Sequence, residues 1–200
     1  MPTGVHIRDA RRQLFDAAER VLLRDGPSAL TSRSVTTEAD CAKGVLHRHF
    51  ADFDEFLAEL VHERIIRVDD QAGSLRAAAG TGTVAGNLAA ALTELLDPIA
   101  LAMVSLVFFR DEVRTRLRRS GLPHGVPVLA EARGMFAAYL TEERALGRIA
   151  ADADVENVAL SLIGAGHLLF AGRRGGPPPA GEVDQLVATV IADVVQRRLL

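Results

Sequence analysis

The chain of 200 residues contains one cysteine, Cys41, and no tryptophan. A single cysteine excludes an internal disulfide framework and a cysteine-rich zinc site, and it is compatible with a reducing cytoplasm. Aromatic residues make up only 4% of the chain. A binding pocket built from several flat aromatic rings is therefore not expected.

Long apolar runs are also missing. The most apolar stretch, residues 99–109, is shorter than the ~20 residues that a membrane-spanning helix needs, and charged residues flank it on both sides. The first residues lack the apolar segment of a secretory signal. We therefore expect a cytoplasmic protein that does not span a membrane.

The common signatures of catalytic and nucleotide-binding sites are absent. The sequence contains no G-x-x-x-x-G-K-[ST], no G-x-S-x-G and no H-E-x-x-H. Asp152, Asp154 and Glu156 resemble the start of a calcium loop, but Asn157 stands where that loop requires glycine. We expect no metal, no cofactor and no enzymatic activity. An all-α enzyme with an unfamiliar site stays an alternative.

Charge is distributed unevenly along the chain. Residues 1–50 contain eight basic and six acidic residues, a net charge of +2, whereas the remainder carries −5. Hydrophobic residues account for 48% of the chain and charged residues for 24%, which is typical of a globular protein. The mildly basic first quarter is compatible with a surface that binds a polyanion or with an ordinary solvated face.

Helical periodicity dominates the sequence, and no sustained two-residue alternation indicates a strand. We therefore predict an all-α fold. Glycine and proline predict breaks at residues 73–83 and 172–181. The predicted helices cover residues 7–24, a short segment capped by Thr31, residues 42–50, a long segment after the candidate cap Asp52, and residues 84–96, 98–119, 127–146, 155–171 and 183–195.

Two short helices around a break at residues 39–41 form a candidate helix-turn-helix. In such a unit the second helix lies in the major groove, which is about 12 Å wide. That helix carries Lys43, Arg48 and two histidines, whose donors suit phosphates and guanine edges. Leu46 and Phe50 would form its core side.

This region resembles the TetR family of transcriptional regulators. The resemblance lies in RRQLFDAAERVLLRDG at residues 11–26, in Leu30-Thr31, and in VTTEADCAKGVLHRHFADFDEFL at residues 35–57. The remainder matches only in its helical type. The resemblance implies an N-terminal three-helix DNA-binding domain, residues 1–51, followed by a helical effector-binding and dimerisation domain, residues 52–200. It also implies a homodimeric repressor that binds a palindromic operator on double-stranded DNA and is released by a small-molecule effector.

The DNA-contacting residues follow from the predicted helix-turn-helix. We expect Lys43, Gly44 and Val45 to contact bases, while His47, Arg48 and His49 lie on phosphates. The full expected set is Thr31, Arg33, Ala42, Lys43, Gly44, Val45, His47, Arg48 and His49.

Five positions depart from the family pattern, among them His47 in place of the usual tyrosine and Thr36 in place of alanine. Asp40 stands where the turn usually has glycine, Ala42 where the recognition helix usually has a serine cap, and Phe53 where a lysine usually contacts phosphate. Asp is one of the few residues that tolerate the left-handed conformation, whereas alanine cannot cap a helix. These departures leave an alternative open, a helical ligand- or partner-binding dimer whose DNA-binding motif is degenerate.

The resemblance implies an effector pocket among the helices of residues 84–171. Asn87 and Arg133 are further candidate polar anchors beside it. Its expected lining is Leu92, Leu96, Met103, Val107, Phe108, Arg110, Met135, Phe136, Tyr139, Leu162, His167 and Phe170.

The helices predicted at residues 155–171 and 183–195 are too apolar for the surface of a monomer. Pairing with their twofold mates would bury the second apolar stripe, as a C2 dimer requires. The alternative is that both helices complete the core of a monomer. The expected dimer interface is Leu160, Gly164, Leu168, Leu186, Val190, Ile191 and Val194.

Overall fold

The computed structural model describes residues 7–121, 125–171, 173 and 176–196. Within these residues the protein is helical and contains no strand, so the predicted all-α fold is confirmed. The helices are α1 (Ile7–Asp25), α2 (Ser32–Glu38), α3 (Gly44–His49), α4 (Phe53–Ala77), α5 (Val84–Leu95), α6 (Pro98–Phe109), α7 (Asp111–Arg119), α8 (Leu129–Ala145), α9 (Val155–Ala171) and α10 (Ala180–Gln196).

The break predicted to begin at Gly73 is wrong, because α4 continues through this glycine to Ala77. Its apolar seam also continues, since Val68 and Leu75 lie seven residues apart and both are buried. Glycine in a helix interior costs about 1 kcal/mol relative to alanine. Burial of Leu75 beyond the glycine offsets that cost.

The helix predicted over residues 98–119 is two helices, separated by Arg110. Arg110 has a non-helical backbone, with φ −124° and ψ 90°. Asp111 and Glu112 follow directly, and acidic side chains stabilise the first turn of a helix. Charged residues that follow the apolar run therefore begin a new helix.

The chain divides into two compact units. Unit 1 consists of Met1–Glu63 and Ala102–Leu122, and unit 2 of Arg64–Leu101 and Pro123–Leu200. In unit 1, α1, α2 and α3 pack against one another. In unit 2, α8 packs on α9 and α5, while α10 packs on α5 and α9. The functional boundary between residues 51 and 52 stays a prediction.

Close packing in unit 2 depends on Gly166. A Cβ atom at this position would lie 2.9 Å from a methyl carbon of Leu92 and 3.1 Å from one of Leu96. Gly164, two residues earlier on α9, is exposed and has nothing within 4 Å of an added Cβ. The two glycines of α9 therefore have different roles, and only Gly166 permits the close approach.

A buried polar network lies in unit 2. The Glu143 side chain is fully buried and lies 3.3 Å from an Arg148 guanidinium nitrogen. Arg148 also donates to the Gly82 carbonyl at 2.6 Å, and Asn87 donates to the Tyr139 hydroxyl at 3.0 Å. Burial raises the pKa of Tyr139. These bonds hold the segment between α4 and α5 and keep the Glu143 charge paired, as a buried carboxylate requires.

An aspartate caps α6 in the same unit. The Asp97 carboxylate accepts a hydrogen bond from the Ala100 backbone N–H at 2.7 Å. The guanidinium of Arg64, which is almost fully buried, lies 2.8 Å from the other carboxylate oxygen. Arg64 also donates to the Leu95 carbonyl at 3.0 Å. The start of α6 is thus fixed by an arginine from α4.

Among the described residues, no single helix has the length and apolar character required to cross a bilayer. One bent pair, α5 with α6, meets those criteria by length and composition only.

Candidate nucleic-acid interface and effector region

The first helix of the candidate helix-turn-helix begins at a reciprocal cap. The Thr31 side chain accepts a hydrogen bond from the Ser34 backbone N–H at 3.1 Å, and the Ser34 side chain accepts one from the Thr31 N–H at 2.9 Å. Such a capping box satisfies two N–H groups that a helix start otherwise leaves unpaired. Thr31 therefore caps α2, as the sequence predicted.

The turn between α2 and α3 depends on Asp40, whose φ is 49°. This is the left-handed region, which aspartate tolerates better than most residues. The Cys41 N–H donates to the Thr36 carbonyl at 3.0 Å, and the Gln13 side chain from α1 donates to the Ala39 carbonyl at 2.7 Å. The turn therefore keeps its geometry without the usual glycine.

The recognition helix is shorter than predicted. α3 covers six residues from Gly44 to His49, not Ala42 to Phe50. Lys43 is the N-cap residue and offers no side-chain hydrogen bond, and Phe50 has an extended backbone. Without an acceptor side chain at residue 42 or 43, the helix starts late.

One face of α3 is buried and the other is open. Leu46 and Phe50 are buried, as predicted. Gly44 has open space around its Cα, so another backbone can approach it closely. Of the expected DNA-contacting residues, the structure leaves Thr31, Arg33, Ala42, Lys43, Gly44, His47 and Arg48 exposed, with Val45 and His49 half-buried.

Three phenylalanines anchor the end of α3. The Phe50 ring lies 5.8 Å from Phe15 of α1 and 5.0 Å from Phe56 of α4, measured between ring centroids. The Arg11 guanidinium lies 4.6 Å from the Phe50 ring centroid and pairs with Glu59. The sequence reasoning did not identify Phe15 or Arg11 as anchors. Phe15 lies three residues before Ala18 and seven before Leu22, which are both buried in α1. This helical spacing is the sequence signal that could have identified Phe15.

Phe53 stands where the family usually has a lysine that contacts phosphate. Its side chain is half-buried and stacks on Phe56, with ring centroids 5.6 Å apart. The Arg110 guanidinium lies 5.9 Å from the Phe53 ring centroid. Packing at the start of α4 therefore explains an aromatic residue at this position.

Most residues expected to line an effector pocket are core residues. In unit 2 seven of the expected lining residues are buried on or next to α5, α8 and α9, and His167 is half-buried. In unit 1 Met103 and Val107 are buried, but the Phe108 side chain is 54% exposed and is not a buried wall. The buried members in unit 2 are Leu92, Leu96, Met135, Phe136, Tyr139, Leu162 and Phe170.

Three candidate polar anchors have other partners in the structure. Arg110 donates to the Leu30 carbonyl at 3.0 Å and thus belongs with the helix-turn-helix unit. Asn87 is bonded to Tyr139, and Arg133 lies 3.7 Å from Glu156. The sequence could not show these partners, because residues 30 and 110 are far apart along the chain.

A separate cleft of about 390 Å³ lies in unit 2, and none of the expected pocket residues lines it. The N-terminal end of α5, Arg148 and one side of α10 form its walls. Ala188 and Val195 contribute to the α10 wall. This cleft is a second candidate location for a small molecule.

The expected dimer-interface residues fall into two groups. Ile191 and Val194 are buried within the subunit, so they complete its own core. Leu160, Gly164 and Leu168 form an exposed line on α9, with Leu160 54% and Leu168 76% exposed. Leu186 and Val190 are half-buried on α10. The predicted second apolar stripe of α9 therefore exists and is uncovered in the single chain.

The fold and this site together define a class, a helix-turn-helix protein with a separate helical body. Residues 14–60 match the family model described as bacterial regulatory proteins, tetR family. The helix-turn-helix region of the chain is therefore similar to that of the TetR family of transcriptional regulators.

Known proteins resemble this chain in sequence over a short stretch and in fold over nearly its whole length. The chain is 37% identical over 78 residues to the nicotine-responsive transcriptional repressor HdnoR of Paenarthrobacter nicotinovorans, a match that covers 36% of this chain and 40% of that protein. The chain thus matches less than half the length of this curated relative.

Solved structures of distant sequence share the fold over nearly the whole chain. A TetR-family regulator from Agrobacterium tumefaciens matches at a TM-score of 0.69 with 11% identity, covering 96% of this chain and 98% of that one. A gamma-butyrolactone receptor matches at a TM-score of 0.56 with 19% identity, covering 94% and 98%.

The left-handed turn at Asp40 gives a test of the helix-turn-helix geometry. We expect Asp40→Val to lower the free energy of unfolding by about 1–2 kcal/mol, because a β-branched residue fits this conformation poorly. Asparagine also tolerates the left-handed conformation but carries no charge. The free energy of unfolding of Asp40→Asn should therefore stay within about 0.5 kcal/mol of that of the parent chain. Urea denaturation measures both. Equal stability of the two variants would contradict the conformation assigned to the turn.

Proposed function

We propose that this protein is a transcriptional repressor that binds a palindromic operator as a homodimer and releases it when a small effector binds. Residues 1–51 would bind DNA, and residues 52–200 would bind the effector and form the dimer. The protein would act in the cytoplasm by binding and not by catalysis. The observation that carries this proposal is the exposed basic face of α3, held behind a capped α2 and a tight turn.

The exposed side chains of α3 suit a major groove. Lys43 and Gly44 lie at its start, where a helix approaches base edges, and His47 and Arg48 lie one turn further on. We assign base contacts to Lys43, Gly44 and Val45, and phosphate contacts to His47, Arg48 and His49. In a twofold dimer, the two half-sites would lie about 34–36 Å apart, one turn of DNA.

The exposed line on α9 supports the homodimer. Leucines at residues 160 and 168 flank Gly164, so a partner helix could approach closely between them. His167 lies beside this line, and burial lowers its pKa, so the imidazole is neutral near pH 7 and compatible with an apolar interface. Leu186 and Val190 of α10 would extend the contact.

The effector proposal draws support from two proteins named above. One is described as nicotine-responsive and the other as a gamma-butyrolactone receptor. In this chain the buried residues of α5, α8 and α9 are the proposed pocket wall. The effector must bind one spacing of the two recognition helices more tightly than another, because otherwise it shifts no equilibrium.

Selection of bound DNA from a random library tests the operator proposal. We expect the purified chain to enrich a palindrome. Lys43→Ala should weaken binding by roughly 10-fold or more and relax specificity at one base pair, whereas Arg48→Ala should lower the salt slope by about one. Arg76→Ala, an exposed arginine on α4 in unit 2, serves as the control. No enrichment would contradict the repressor and favour a ligand- or partner-binding dimer with a degenerate motif.

Light scattering tests the dimer. Leu168→Glu should raise the dimer dissociation constant by roughly 100-fold or more, because a C2 interface would bury two unpaired carboxylates. Leu146→Glu is the matched control, since Leu146 is 56% exposed in the same unit and is not one of the proposed interface residues. A dimer that persists in Leu168→Glu would contradict the assigned surface.

A thermal-shift screen of lipophilic metabolites tests the effector. A bound effector should raise Tm by roughly 5 °C at one hundred times its Kd and should release the selected operator. Ala188→Trp places a large ring in the cleft beside α10, and the alanine it replaces is exposed. A ligand that this variant still binds occupies the core pocket, whereas a ligand that it loses contradicts that location.

A further inference from the structure

Helix α7 belongs to unit 1 and has a narrow, buried apolar edge. Val113 and Leu117 are buried, and they lie four residues apart on one side of this nine-residue helix. Arginines occupy much of the remaining surface. Two of the arginines at this helix, Arg110 at its start and Arg116 in its last turn, have partners in the helix-turn-helix region.

Arg116 binds the residue that starts α4. Its guanidinium donates to the Asp52 carboxylate at 2.6 Å, and the other oxygen of that carboxylate accepts from the Glu55 backbone N–H at 2.8 Å. The Glu55 N–H and the Arg116 guanidinium hold the pKa of Asp52 below its usual range. Only three residues separate the last residue of α3 from the first of α4. The ion pair therefore fixes the chain just beyond the recognition helix.

Arg110 binds the other end of the motif. Its guanidinium donates to the Leu30 carbonyl at 3.0 Å, and Leu30 directly precedes Thr31, the cap of α2. A second guanidinium nitrogen lies 3.7 Å from Asp54. The contact therefore reaches the chain just before the first helix of the helix-turn-helix.

We propose that Arg110 and Arg116 are positioning residues for DNA recognition, through which α7 sets the orientation of α3. The two arginines hold the chain immediately before α2 and immediately after α3, so the whole motif is fixed at both ends. Neither needs to touch DNA. This inference rests on the proposed DNA-binding function.

Phosphate binding is the competing role for an arginine in this unit, and the salt dependence of binding separates the two. A residue that neutralises a phosphate contributes about one to the slope of log K against log salt. A residue that acts through Asp52 contributes nothing to that slope, although its loss weakens binding to the specific operator.

A double-mutant cycle on the selected operator tests the Arg116 contact. The variants are Arg116→Gln, Asp52→Asn and the double variant. Asparagine caps a helix about as well as aspartate, so Asp52→Asn removes the ion pair and keeps the start of α4. We expect each single variant to weaken operator binding about 10-fold, and the double variant to weaken it by the same factor, because residues in one ion pair are coupled.

Three further readouts separate positioning from loss of folding. The salt slope and the affinity for random-sequence DNA should stay at parent values in all three variants. Arg116→Lys should recover part of the operator affinity, and Arg110→Gln should behave like Arg116→Gln. Arg118→Gln is the matched control, because Arg118 is an exposed arginine two residues away on α7. It should bind operator like the parent chain.

Several outcomes overturn the inference. Additive effects in the cycle, an unchanged operator affinity in Arg116→Gln, or a salt slope lowered by about one would each do so. A parallel loss of random-sequence binding and of Tm would show a merely structural role and overturn it as well. If the parent chain binds no DNA, the proposed function and this inference fail together. If it binds and only the variants behave unexpectedly, the inference alone fails.

Discussion

The recognition helix is too short to exist without support from the rest of unit 1. Isolated helices of fewer than about 12–15 residues are marginal in water, whereas α3 has six residues and no side-chain cap at its start. Its structure therefore comes from burial of Leu46 and Phe50 and from the aromatic contacts of Phe50. The exposed donor side chains of α3 depend on this anchoring, because they can reach a DNA groove only if the helix that carries them is held in place.

Two helix starts are held by the same arrangement, a capping aspartate that is paired with an arginine. Asp52 caps α4 and binds Arg116, and Asp97 caps α6 and binds Arg64. In each case one carboxylate oxygen accepts a backbone N–H and the other meets a guanidinium from another helix. Charge-assisted hydrogen bonds of this kind are stronger than neutral ones and fix direction as well as distance. The start of a helix is thereby tied to a second helix, so that neither can turn without breaking the pair.

Local pattern predicted the type of the helices well and their interruptions poorly. Residues 155–171 were predicted with the bounds that α9 has, because an apolar stripe with a clear start leaves little freedom. The break at Arg110 was missed; the Arg110 side chain donates to the Leu30 carbonyl eighty residues earlier, a tertiary contact that no local pattern indicates. At Gly73 a break was predicted where the helix in fact continues, because the packing of Leu75 outweighs the intrinsic cost of glycine. For the candidate site, the exposed side chains of α3 follow from residue type and spacing. The partners of Arg11, Arg110 and Arg116 depend on tertiary structure and leave no local signal.

The unequal surroundings of the two glycines on α9 have a consequence for how this helix tolerates sequence change. A methyl group added at residue 164 would extend into open space, whereas the same group at residue 166 would meet two leucines of unit 2. Within one subunit, residue 164 therefore has room for a side chain, and any need for glycine there would come from the proposed dimer partner, whereas residue 166 needs glycine for the packing of the subunit itself. Two identical residues, one helical half-turn apart, are thus constrained by contacts of different kinds, one between subunits and one within a subunit.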